Sequence, residues 1–159
     1  MLGLAWFLAQ RLHPRIVEVG LHADGSLRDR HLWHLPPLSP HLFALRMDAA
    51  LDFAAAGALE RHVIQRLAEA PHIRHVCIFA QAFNWVDATG VESFGALRRS
   101  LQGRGITLHL SGLKLPVETV LRRAGELPEG PLLKLYRADP EALAALQGLS
   151  ENKAHGHLK

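Results

Sequence analysis

The chain has 159 residues, 48% hydrophobic and 21% charged, and its 18 Lys and Arg against 15 Asp and Glu leave a formal net charge of +3. That size and balance fit one globular domain with short extensions. The cations are scattered and form no clustered stripe, so no nucleic-acid partner is expected.

The chain opens on an apolar run over residues 2–8, Leu-Gly-Leu-Ala-Trp-Phe-Leu, followed by Arg11, His13 and Arg15. About twenty apolar residues are needed to cross a bilayer, so this run is too short to span one. It also lacks the basic start and small-residue cleavage site of a signal peptide. Two readings stand. The run is the last turns of a membrane span, with Trp6 at the interface and the basic residues beyond it on the cytoplasmic side, or it is an ordinary amphipathic segment.

Pro14 ends any helix there, and Ile16-Val17-Glu18-Val19 reads as a short strand. Residues 20–40 form a polar connection with an Asp24-Gly25 turn and Pro36, Pro37 and Pro40. Its length suggests that it wraps the surface. Residues 42–47 suit a strand. Ala56, Leu59, Val63 and Leu67 then share one helical face, closed by Pro71. Residues 73–80 form a buried strand around Val76, Ile78 and Phe79, and a loop runs over residues 81–86.

A second helix starts after Asp87, with Gly90, Phe94, Leu97 and Leu101 on one face and Gly103 and Gly105 as its stop. Residues 106–110 alternate like a strand. Pro116 suits the first turn of a third helix whose apolar face is Val117, Val120, Leu121 and Ala124, ending at Gly125. A last strand covers residues 132–136. Asp139-Pro140 starts a final helix with Leu143 and Leu146 inward, and residues 150–159 are a polar, disordered tail. Strands alternating with helices from residue 42 onward argue an α/β layered domain with a mostly parallel central sheet. The single cysteine, Cys77, lies in the apolar run Val76-Cys77-Ile78-Phe79. It excludes an internal disulfide, fits a reducing compartment, and reads as a small buried hydrophobe.

The most informative stretch is Asn84-Trp85-Val86-Asp87-Ala88-Thr89-Gly90-Val91, where a strand gives way to a helix. Asp87 is placed to cap that helix, Thr89 offers a hydroxyl in its first turn, and Gly90 permits close packing or close approach of a partner. Backbone N–H groups at the helix start also make the corner a potential anion site. By itself Asp-x-Thr-Gly is a weak pattern.

The order of the pieces carries more. Residues 73–78, Asp87-Ala88-Thr89-Gly90-Val91, residues 104–108 and residues 120–125 follow one another as in the STAS domain of sulfate transporters and anti-sigma-factor antagonists. The chain resembles that family over roughly two thirds of its length. Residues 13–20 and 45–54 resemble the transporter branch, the SulP permeases, at the juncture after the final span and at the opening of the STAS helix.

The resemblance implies a membrane-proximal remnant over residues 1–15, a first strand and linker over 16–40, a STAS domain over 41–149 and the tail beyond. It implies a regulatory, non-enzymatic role at the cytoplasmic face of the membrane. The partners it implies are the transmembrane domain of an anion permease, on the same or a separate chain, and a cytosolic protein. The alternative is a soluble anti-sigma-factor antagonist-like signalling protein. In those antagonists a kinase modifies the serine after the motif aspartate; here that position is Ala88, which has no hydroxyl, so the usual switch is not expected and Thr89 is the candidate phosphoacceptor. Asp87, Ala88, Thr89 and Gly90 form the expected regulatory or interaction loop.

Other groups read as ordinary surface. Some STAS domains respond to nucleotides, but no Walker or Rossmann glycine pattern supports such a site here, and nucleotide binding is left open. No cofactor is expected. The pairs His31/His34 and His72/His75 do not make up a zinc ligand set, so no metal is expected. Glu118, Glu126 and Glu129 make no acid–base pair, and Ser93, Ser100 and Ser111 lack a nucleophile's context. Arg98, Arg99, Arg104, Arg122 and Arg123 read as solvated helix faces, or as an electropositive contact surface.

Overall fold

A computed structural model describes residues 3–6 and 14–151. One six-stranded sheet is built from β1 (Ile16–Leu21), β2 (Leu27–Asp29), β3 (Leu42–Met47), β4 (His75–Phe79), β5 (Thr107–Ser111) and β6 (Leu133–Tyr136), in the order β2-β1-β3-β4-β5-β6. Within residues 14–151 four helices accompany it: α1 (Phe53–Glu69), α2 (Ala88–Gly103), α3 (Leu115–Arg123) and α4 (Asp139–Glu151). β3 to β6 are parallel, and β1 runs antiparallel to both β3 and β2.

The central strands are nearly continuous apolar runs because both their faces are covered. Alternation along each strand sorts the side chains. Phe43, Leu45, Met47, Val76, Ile78, Leu108 and Leu110 pack with the apolar stripes of α1, α2 and α3. Leu42, Ala44, Cys77 and Phe79, with Val17 and Val19 of β1, pack under Ala142 and Leu146 of α4. The three crossover helices thus lie on one face and α4 on the other.

The expected polar connection over residues 20–40 holds a strand of its own. β1 and β2 form a hairpin around Gly25, whose φ of 86° is the left-handed conformation that glycine adopts without strain. β2 is three residues long, Leu-Arg-Asp, too short to show alternation, which is why the sequence hides it. Glu18 ties the connection down: its buried carboxylate lies 2.8 Å from His31 Nε2, 3.4 Å from Arg30 Nη1 and 3.6 Å from Arg66 Nε of α1.

Smaller differences concern helix faces. α3 buries Val117 and Leu121, while Val120 is 41% exposed and Ala124 is the exposed C-cap. A nine-residue helix at the sheet margin buries only a narrow stripe, and Val120 lies off its centre. In α4 the inward residues are Ala142 and Leu146, with Leu143 half-buried. Of the expected membrane-proximal segment, residues 3–6 are helical with Leu4 and Trp6 exposed. Residues 1–2 and 7–13 lie outside the described residues, as does the tail over 152–159. No helix among the described residues is long and apolar enough to cross a membrane.

Candidate functional site

The helices α1, α2 and α3 all begin where parallel strands end, so their N-termini gather along one edge of the sheet. Two aspartates organise that edge. Asp52, in extended backbone conformation, caps α1 by accepting from the N–H groups of Ala54 (3.1 Å) and Ala55 (2.9 Å). Asp87 does more. Its Oδ1 accepts from the Gly90 N–H at 2.6 Å and caps α2, while its Oδ2 accepts from the Phe53 N–H of α1 at 3.1 Å. One carboxylate therefore joins the starts of two helices. The Leu51 N–H donates to the Trp85 carbonyl at 3.0 Å, and a parallel bridge pairs Leu51 with Val86, so the two loops are also stitched by backbone.

Within the motif, Ala88 and Thr89 are exposed, Asp87 is partly buried and Gly90 is buried. A Cβ at residue 90 would run into the Leu51 carbonyl. Gly90 is there for close packing of two loops, which closes the alternative that a partner approaches its backbone. The Asp87 carboxylate also competes with any anion at this corner. It accepts from the helix N–H, and its own charge already meets the positive helix end.

Sequence reasoning missed the apolar residues around this corner. Phe53 is 61% exposed, Trp85 48% and Leu115 71%. They stand on three successive loops of the same edge, and the Lys114 Nζ contact with Asn84 Oδ1 brings the α3 start against the Trp85 loop. The available signal was positional. Phe53 directly follows an Asp N-cap, Trp85 lies two residues before one, and Leu115 starts its helix. An apolar side chain at a helix start projects past the sheet instead of onto it.

The remaining candidates separate. Glu126 is clasped by Arg98 Nη2 at 3.0 Å and Arg99 Nη1 at 3.1 Å, and Arg122 pairs with Glu118 at 2.8 Å. These arginines are engaged in structural ion pairs, which lowers the charge of any electropositive surface. His72 contacts His41, and His75 instead meets His109. Among the described residues no three His, Cys, Asp or Glu side chains cluster as metal ligands.

His75 Nδ1 lies 3.1 Å from His109 Nε2, and His109 Nδ1 3.0 Å from the Tyr136 hydroxyl, in a chain across β4, β5 and β6 under α4. Burial, then His75 and Lys134, push His109 down to about 4, and burial raises Tyr136. Cys77, on the same face, is pushed far up by burial and by Asp139, which keeps it a thiol.

A mostly parallel open sheet with three crossover helices on one face and α4 on the other defines a mixed α/β architecture of the anti-sigma-factor antagonist type. Residues 37–138 match the STAS domain, and the chain belongs to that family. Its fold is similar to the inward-facing murine solute carrier 26 family member A9 anion transporter (TM-score 0.75, 11% identity, 92% of this chain and 24% of that one). It is similar to a sulfate transporter family protein from Wolinella succinogenes (TM-score 0.62, 20% identity, 78% and 99%). It also resembles a putative anti-sigma factor antagonist from Thermotoga maritima (TM-score 0.57, 16% identity, 74% and 98%). The chain spans about a quarter of the murine transporter's length. No curated protein matches it.

Proposed function

We propose that this STAS domain is the cytosolic regulatory module of a sulfate permease-type anion transporter, held at the cytoplasmic face of the membrane. It acts by non-covalent contact with the transporter's transmembrane domain, on the same or a separate chain, and performs no catalytic step. The observation that carries this reading is the extent of the structural likeness. It takes in 92% of this chain for the murine anion transporter, against 74% for the Thermotoga antagonist.

The docking element in this reading is the corner of Asp87, Ala88, Thr89 and Gly90 with the exposed Phe53, Trp85 and Leu115. Asp87 and Gly90 hold it rigid and Ala88 and Thr89 present its surface. Thr89 is the position at which a phosphate would change that surface, with its charge favoured by the helix start and opposed by Asp87. The second reading, a soluble antagonist-like signalling protein, rests on the same family and the Thermotoga likeness.

A photo-crosslinking residue at Trp85 or Thr89, in cells of the source organism, distinguishes them. The transporter reading expects crosslinks to a multi-span anion permease. Crosslinks to a soluble kinase or sigma-factor regulator would establish the second reading instead.

A further inference from the structure

A cavity of about 320 Å³ lies on the α4 face, at the end of the sheet where β3 and β4 finish. Arg46, Gln81 and Asp139 line it, together with the apolar Val19, Phe79 and Leu143. Arg46 shares the parity of Leu42 and Ala44 on β3, so it projects onto the α4 face beside its register partner Phe79. An arginine on this face is costly unless its donors are met. Here its Nε is buried and faces Asp48 Oδ1 at 3.4 Å as an ion pair without a hydrogen bond, while the side chain as a whole is 36% exposed. The walls that surround this guanidinium are mostly apolar, and a space of this size is at the lower end of small-molecule sites.

Asp139 adds selectivity. Its Oδ1 accepts from the Ser111 hydroxyl at 2.7 Å, which fixes a negative charge in the same cavity. A second anionic group on a ligand would meet that charge.

We propose that this cavity is a binding site for a small organic monocarboxylate, its carboxylate on Arg46 and Gln81 and its short apolar body against Val19, Phe79 and Leu143. The site lies on the opposite face from α1, α2 and α3 and stands whether or not the docking reading does. Carboxylate and guanidinium match in shape and charge, which a bare apolar cavity would not demand. The apolar walls favour an organic body over a fully hydrated inorganic ion.

Amide-resolved NMR titration of the full 159-residue chain with benzoate, succinate and sulfate tests this. Saturable shifts with benzoate, concentrated at residues 25–27, 46, 81–82 and 139–143, are expected, with succinate and sulfate at least roughly tenfold weaker. Arg46→Gln should weaken benzoate by about tenfold or more, the order of a lost charge-assisted bond. Leu143→Trp, which fills the cavity from a half-buried helix position and leaves Arg46 in place, should weaken it as much. Absence of saturable shifts, equal affinity for sulfate, or benzoate binding that survives both substitutions would each overturn the assignment.

Discussion

On the side of α1, α2 and α3 the strands contribute Phe43, Leu45, Met47, Val76, Ile78, Leu108 and Leu110. On the α4 side these strands and β6 contribute Arg46, Cys77, His109, Ser111 and Tyr136 amid a smaller apolar cluster. The first face is closed by three helices that the parallel connections must place there, and beneath β3, β4 and β5 it is filled with hydrocarbon. The second is closed by one helix, which leaves room for polar side chains that satisfy one another: His109 with His75 and Tyr136, Ser111 with Asp139. One face supplies stability, and the other holds the groups with adjustable chemistry.

The sharpest way to break that contrast is truncation on each side. Leu97→Ala, under α2, should cost about 4 kcal/mol, because three helices leave little freedom to collapse around the cavity. Leu146→Ala should cost about 2 kcal/mol, because α4 packs on a smaller cluster and can settle. Urea unfolding of both variants checks the order; a larger loss at Leu146 would reverse the assignment of the stabilising face.

The pH dependence comes next in size. His109 is held neutral down to about 4 in the folded chain, against an ordinary histidine value of 6.5. Between these values the unfolded chain binds more protons, so stability is present above pH 6.5 and lost as pH drops toward 4. By linkage the loss is about 3 kcal/mol. The groups facing His109 on this side are His75, Lys134, Tyr136 and Cys77. His109→Gln should flatten the fall in urea midpoint between pH 7 and pH 4.5; an unchanged slope would show that the α4 face does not carry it.

A third test compares glycines. Gly90→Ala should cost about 2 kcal/mol, since the new methyl meets the Leu51 carbonyl and the two loops must part. Gly103, at the other end of α2, has open space around it and no positive φ. Its replacement by Ala should be neutral or stabilise by about 0.5 kcal/mol. Thermal unfolding of the two variants separates steric need from helix propensity.

Much of this could be read from the residues, and what could not has physical causes. β3, β4 and β5 were legible because both-face burial makes them apolar runs, and α1 and α2 because their buried stripes repeat at helical spacing. The α/β class and the Asp87 cap followed from these. β2 was hidden because its three residues are held by the Gly25 turn and by the long-range clasp of Glu18, neither of which has a local period. The exposure of Phe53, Trp85 and Leu115 was hidden because pattern reading takes apolar side chains at helix starts as core. The His75–His109–Tyr136 chain needs the register of three strands, which no single segment encodes.

The smallest expected effect bears most on the docking corner. Asp87→Ala removes the acceptor for Gly90 and for Phe53, and should cost about 1 kcal/mol, the usual value of a helix cap. Thr89→Ala touches no described hydrogen bond and lies on the surface, so it should change stability by less than about 0.5 kcal/mol. If the corner acts by contact, the two variants must diverge from their stability ranking: Thr89→Arg, as harmless to folding as Thr89→Ala, should abolish the crosslink from Trp85 that Asp87→Ala only weakens. A Trp85 crosslink that tracks stability alone, untouched by Thr89→Arg, would mean that Asp87 holds two helix ends together and that the surface it shapes contacts nothing.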